Sequence, residues 1–334
     1  MASEKRLGYF DFLRGVAILL VIAIHTCALG GFETPMEVAR MWGKQSAMFA
    51  VPVFLAISGF FLARKPLDTA PRRLDFWRRQ VSKIYVPCLV WSVPWLLLGW
   101  LATDALTWPV VWKGLIRFFL CGYSVYYFIA LIIQCYVLLP WLTHVKSRGV
   151  IGFALMSFAS VAVVNWYLNI GGHELPMVVY AGLFPVYGFF FVLGVWLSRR
   201  PRTYRLFPLL VLLLLSLVLS MWETEWQMSF HGKGHGIKPS VFLYSTLAVF
   251  ILFSRRLQDA YTGRSQLAKA VQWVGEVSFG VYLVHMYFVP VAAKLVPTDA
   301  WVVNWSVATV LTLVFIAVGK RVAPRAVARW LGFR

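Results

Sequence analysis

Arg14 and His25 stand eleven positions apart in one apolar stretch near the N-terminus. At about 100° per residue, a helix over that stretch turns three times plus roughly 20° between them, so both side chains share a face. Asp11, three residues before Arg14, falls on the same side and within pairing reach. His25 lies about 16 Å further along the axis. One stripe therefore carries a carboxylate, a fixed cation towards one end, and an imidazole, which exchanges protons near neutral pH, towards the other. An arginine at the centre of a membrane helix costs roughly 2.5–3.5 kcal/mol on insertion scales. Snorkelling from about one turn inside the boundary lowers that cost. Even so, Arg14 beside Gly15 is a poor choice for a segment that only has to span. Such a stripe belongs against a bundle interior or a watery cavity. The structural alternative is that Arg14 anchors one end of the helix and His25 caps the other.

A second polar stripe reads Ser278, Tyr282 and His285. Offsets of four and seven put the three on one helical face, either lining a cavity opposite the first stripe or forming a polar seam between helices. Cys27, Cys88, Cys121 and Cys135 form no CxxC pair and lie in or beside apolar runs, which reads as small core residues. His231 and His235 have a metal-compatible spacing, but no nearby acid or cysteine completes a site, so no metal is expected.

The elements that position these residues follow from composition. Hydrophobic residues make up 60% of the 334-residue chain and charged residues 13%. A soluble domain is about a quarter charged. The expected fold is all-α, a polytopic transmembrane helix bundle forming a single domain over 1–334. A span needs about 20 mostly apolar residues. Ten candidates meet or approach that: 10–30, 46–63, 84–102, 123–142, 150–168, 178–197, 206–222, 239–254, 278–296 and 303–322. The stretch 108–122, with Lys113 and Arg117, reads as an interfacial helix, and 223–238 as the largest outer loop.

Alternate connections divide the Lys and Arg unequally. One set holds 24 of the 32 and the other seven, with Arg14 inside the first span. The basic side is expected to be cytoplasmic, and ten spans then put both termini there. The net charge of +19 is thus a topological signature rather than a nucleic-acid footprint, and no nucleic-acid partner is expected. With Asp11 and Arg14 inside it and no small-x-small cleavage site, the first span is not expected to be a signal peptide.

Five stretches, in order, resemble the membrane-bound acyltransferase-3 family. Phe10-Asp11-Phe12-Leu13-Arg14-Gly15-Val16-Ala17 with His25 is similar to its opening helix. Val51-Pro52-Val53-Phe54 through Ile57-Ser58-Gly59-Phe60-Phe61-Leu62 resembles its second span. Phe76-Trp77-Arg78-Arg79 with Lys83-Ile84 and Pro87 resembles its basic entry to the third. Tyr126 to Leu131, with Tyr136 and Pro140, resembles its fourth. Gly275 to His285 resembles its GxxSYGIYLxH segment. The fourth-span histidine/tryptophan pair of that family is here Ser124 and Tyr126, a lysine replaces the usual arginine before Ile84, and Phe279 replaces a common tyrosine.

The resemblance implies an integral membrane O-acyltransferase of the surface-polysaccharide type, similar to enzymes that acetylate enterobacterial common antigen, in a bacterial inner membrane. It implies acetyl-CoA as the donor substrate with no bound cofactor. The implied partners are acyl-CoA, a glycan or lipid-linked glycan acceptor, and membrane lipids. His25 is then the catalytic imidazole, as general base on a sugar hydroxyl or as a transient acyl carrier. Arg14, Arg78, Arg79 and Lys83 are donor-binding candidates, because several cations suit the phosphates of CoA. Asp11, Ser58, Tyr126, Ser278, Tyr282 and His285 line the cavity or support it, although Ser58-Gly59 also reads as a close helix contact. The competing class is a glycan or lipid transporter without acyl transfer, although no repeated halves with broken spans are evident.

Overall fold

The computed structural model describes residues 2–27, 33–199, 203–231, 236–297 and 300–333, with the side chains of residues 2–6 and 231 left aside. The described residues form helices and connecting turns with no strand. In chain order the helices are α1 (Ala2–Thr26), α2 (Pro35–Ala47), α3 (Ala50–Leu62), α4 (Ala70–Leu101), α5 (Trp108–Phe119), α6 (Tyr127–Leu142), α7 (Ser147–Asn165), α8 (Met177–Tyr180), α9 (Phe184–Arg199), α10 (Leu206–His231), α11 (Pro239–Leu252), α12 (Arg255–Ala260), α13 (Gln266–Glu276), α14 (Ser278–Leu295), α15 (Trp301–Val322) and α16 (Arg325–Trp330). A π-helical turn, Trp166–Ile170, continues α7.

Seven stretches among the described residues are long and apolar enough to cross a bilayer, including Leu7–Thr26, Pro35–Leu62 and Ser278–Leu295. Three shorter apolar helices, α6, α9 and α11, stand where the fourth, sixth and eighth spans were expected. At 14 to 16 residues they reach only about 21–24 Å, short of a hydrocarbon core about 30 Å thick. Much of each is buried against its neighbours, α9 most completely, so protein rather than lipid sets its surroundings. The exposed leucines of α10 (Leu210, Leu212, Leu214, Leu215 and Leu219) show the opposite, lipid-facing pattern.

Several boundaries differ from expectation. The polar stretch 35–47 is helical. Thr34 accepts from the Glu37 amide while Glu37 accepts from the Thr34 amide, a capping box that starts α2 before the second span. Helix α4, over the expected third span, begins at Ala70 rather than near 84, and its basic turns continue into its apolar ones with Pro87 and Pro94 inside the helix. Helix α10 runs through the expected outer loop as far as His231. The 108–122 stretch is helical over Trp108–Phe119, with Trp108 and Trp112 exposed.

Two glycine-mediated crossings fix the centre. At α3 and α9, a methyl on Gly59 would lie 2.1 Å from the Phe191 carbonyl oxygen, and one on Gly194 2.0 Å from that of Ala56. At α1 and α13, a methyl on Gly15 would lie 2.0 Å from the Val271 carbonyl oxygen, and one on Gly275 1.8 Å from that of Asp11. Backbones that close admit no side chain, which explains glycine beside Arg14. Helix α1 is held from other sides too. Tyr9 donates to the Leu252 carbonyl, Trp305 to that of Leu19, and Trp301 to that of Ala23. Phe10 packs among Phe60, Phe61 and Phe253.

Candidate active site

The α1 stripe opens into two cavities, one at each end. Towards its N-terminus, Arg14 lines a space of about 210 Å³ together with Ser58 of α3, Tyr136 of α6, and Ser278 and Tyr282 of α14. Its remaining walls are mainly apolar, among them Phe54, Phe128 and Ile132. The Arg14 guanidinium donates to the Asp11 carboxylate at 2.8 Å and lies 5.3 Å from the Phe61 ring centroid. Both members of that pair are partly exposed, so Asp11 orients the guanidinium while leaving it accessible.

Eleven residues on, His25 lines a second cavity of about 250 Å³. Lys44 of α2 and the rings of Tyr127, Tyr180 and Tyr187 share it, with Gly236 and Ile237 closing one side. The two spaces are neighbours in the fold. Phe54 in the first is one turn from Val51 in the second, and Phe128 adjoins Tyr127.

Helix α14 runs alongside α1 and carries its own stripe past both ends. Ser278 and Tyr282 face the Arg14 cavity, and His285 stacks obliquely near His25 with ring centroids 5.4 Å apart. His285 is fully buried. Its Nδ1 lies 2.8 Å from the Tyr282 carbonyl oxygen and 3.2 Å from that of Val281. A carbonyl accepts only from an N–H, so the proton sits on Nδ1 and Nε2 keeps its lone pair. That Nε2 is buried and has no hydrogen-bond partner in the structure. The Tyr282 hydroxyl donates to the Val125 carbonyl, and Phe128 packs on the Tyr282 ring.

The structure thus gathers Arg14, Ser58, Ser278 and Tyr282 around one cavity and puts His25 at the other. Asp11, Tyr126 and His285 support rather than line. Tyr126 is fully buried and donates to the Leu283 carbonyl at 2.7 Å, tying the start of α6 to α14. Arg78, Arg79 and Lys83 are exposed on α4 and line neither cavity; only Ile84 from that part of α4 reaches the Arg14 space. Arg79 pairs with Asp75 at 2.7 Å. The four cysteines are buried and none is in a disulfide. Among the described residues no group of three His, Cys, Asp or Glu could hold a metal, and the His231–His235 spacing lies outside the described side chains.

Sequence reasoning missed the second cavity's other walls. Lys44 sat in what was taken for a connection, and its signal was the Thr34-x-x-Glu37 capping box. Tyr127, Tyr180 and Tyr187 carried no distinguishing signal, since aromatic residues are common near span ends.

Residues 7–320 match the family model described as an acyltransferase domain. A protein of Bacillus subtilis (strain 168) named as a membrane-bound acyltransferase, YfiQ, is 24% identical over 261 residues, which is 72% of this chain and 68% of that one. No solved structure matches the chain.

Proposed function

Because the chain belongs to this acyltransferase family and is a membrane acyltransferase, we propose that it moves an acyl group, acetyl from acetyl-CoA, to a hydroxyl of a cell-surface polysaccharide or its lipid-linked precursor. The observation that carries this reading is the placement of Arg14 and His25. One rigid helix offers a cation to one cavity and an imidazole to the next, about 16 Å further along. A thioester donor made in the cytoplasm and an acceptor presented on the far side have to meet within the membrane. A pantetheine arm bridges such a gap, with its phosphates near the Arg14 mouth and its thioester near His25. The basic connections support cytoplasmic termini in a bacterial inner membrane. Family membership favours acyl transfer over transport alone.

In this reading His25 takes the proton from the acceptor hydroxyl as the oxygen attacks the thioester carbonyl. The C–S bond breaks, the thiolate leaves as CoA, and the proton passes from the imidazole to the thiolate or to water. His285 holds the His25 ring in place from behind. Arg14, oriented by Asp11, binds the donor. Arg78, Arg79 and Lys83, exposed on α4, attract the phosphates of CoA before they enter. Acetyl-CoA turnover by the purified full chain, wild type against His25→Ala, tests this. Loss of turnover in a folded variant supports it, and equal turnover removes His25 from the chemistry.

A further inference from the structure

We propose that the His25 cavity selects an acceptor carrying a negative charge, a carboxylate or phosphate held by Lys44 beside the hydroxyl to be acylated. This rests on the acyl-transfer reading of the same site and names the acceptor class that reading leaves open.

Lys44 projects from the last turn of α2 into the cavity that His25 lines. Its ammonium donates to the Cys27 carbonyl oxygen at 3.1 Å. That contact caps the end of α1, and a lysine at a helix C-terminus often does no more. Here the cap uses one of three N–H donors. Among the described residues Lys44 has no ion pair, and no Asp or Glu lines the cavity. A half-buried ammonium without a counter-charge is costly to hold, and a bound anion relieves the cost.

A second cation stands nearby on α2, outside the cavity lining and with Glu37 as an acidic neighbour. Arg40 lies one turn before Lys44 on α2, and its Nε is buried without a hydrogen-bond partner in the structure. The Cys27 thiol donates to the Arg40 carbonyl at 3.6 Å, so the end of α1 and this cationic edge of α2 form one fixed unit. The rings of Tyr127, Tyr180 and Tyr187 supply apolar faces and hydroxyls of the kind that hold a sugar. Cation, imidazole and aromatic rings together fit an acidic sugar, whose charge would be placed by Lys44 and whose neutral ring by the tyrosines.

Binding is measured without donor, by thermal stabilisation of the purified full chain in detergent. The probes are methyl glucuronide for the carboxylate, glucose 1-phosphate for the phosphate, and methyl glucoside as the neutral control. The expected result is at least about tenfold tighter binding of one or both charged sugars than of the neutral one, weakening as salt rises. Preference for the carboxylate alone points to a uronate in the glycan, and for the phosphate alone to a group near a lipid-linked end. Lys44→Gln should bring the charged sugars down to the neutral level, and Lys44→Arg should keep the preference. Equal binding of all three probes by wild type, or no binding of either charged sugar at millimolar concentration, overturns the proposal. So does Lys44→Gln weakening all three alike, the result expected of a helix cap only. If Lys44→Gln does not fold, the wild-type comparison and its salt dependence still decide. No acyl-CoA enters these measurements, so a protein that binds acidic sugars but turns over no thioester would overturn the acyl-transfer reading separately.

Discussion

His25 on α1 and His285 on α14 place their rings 5.4 Å apart, one at a cavity and one fully buried behind it. The buried ring is fixed by two carbonyls of its own helix, which leaves its Nε2 as an acceptor with no partner. In the proposed reaction His25 is the reacting imidazole and His285 the one that positions it. Their helices also share the Arg14 cavity, so one rigid unit spans both ends of the path.

Replacing His25 with alanine should lower acyl transfer by about 10²–10⁴-fold, the usual contribution of a positioned acid–base group, while acyl-CoA binding persists. Single-turnover transfer and equilibrium binding on the same preparation check this. His285→Phe should cost less, and the loss should appear in kcat rather than in KM for the donor.

Arg14→Gln should raise the KM for acyl-CoA by roughly tenfold to a hundredfold, the scale of a lost hydrogen bond to a charged group. Asp11→Asn should do less, since the guanidinium stays but loses its 2.8 Å partner. Donor titrations of the two variants separate binding from orientation. An unchanged KM in Arg14→Gln would leave Arg14 as a structural member of its pair.

Gly59→Ala should destabilise the bundle by about 1–3 kcal/mol or more, because its methyl meets a backbone oxygen rather than a flexible side chain. Gly99→Ala, where nothing lies within 4 Å, is the control and should be neutral or slightly stabilising. Thermal unfolding in detergent reads both.

Lys238, just before α11, is fully buried and donates to the Ser220 carbonyl and the Thr224 hydroxyl. Burial lowers its pKa from 10.5 to about 7, with Glu223 offsetting part of that effect. Above pH 7 the folded lysine is mostly neutral, whereas the unfolded one stays protonated up to about 10.5. The unfolded state then binds more protons, so stability contributed here rises with pH across that window, by at most about 1.4 kcal/mol per pH unit. The melting temperature should climb from pH 7 towards pH 9, and Lys238→Met should flatten that slope. Equal slopes in the two proteins would remove Lys238 as the cause.

The residues of the α1 stripe were legible in the chain because helical periodicity is local. Eleven positions place Arg14 and His25 on one face whatever surrounds them. Hydrophobic run length likewise set the class of fold, since a bilayer requires about 20 apolar residues and the chain supplies that repeatedly. Three of the expected spans, over α6, α9 and α11, are apolar helices shorter than a bilayer is thick, and packed protein surrounds much of each. The resemblance marked Arg78, Arg79 and Lys83; the fold exposes their side chains on α4 beside Ile84, which lines the Arg14 cavity, and sequence order along α4 does not say which face turns inward. Two cavities rather than one, the backing of His25 by His285, and Lys44 beside them all depend on contacts between helices far apart in the chain. Such contacts follow from how glycine crossings let backbones approach, and only tertiary packing decides which faces meet.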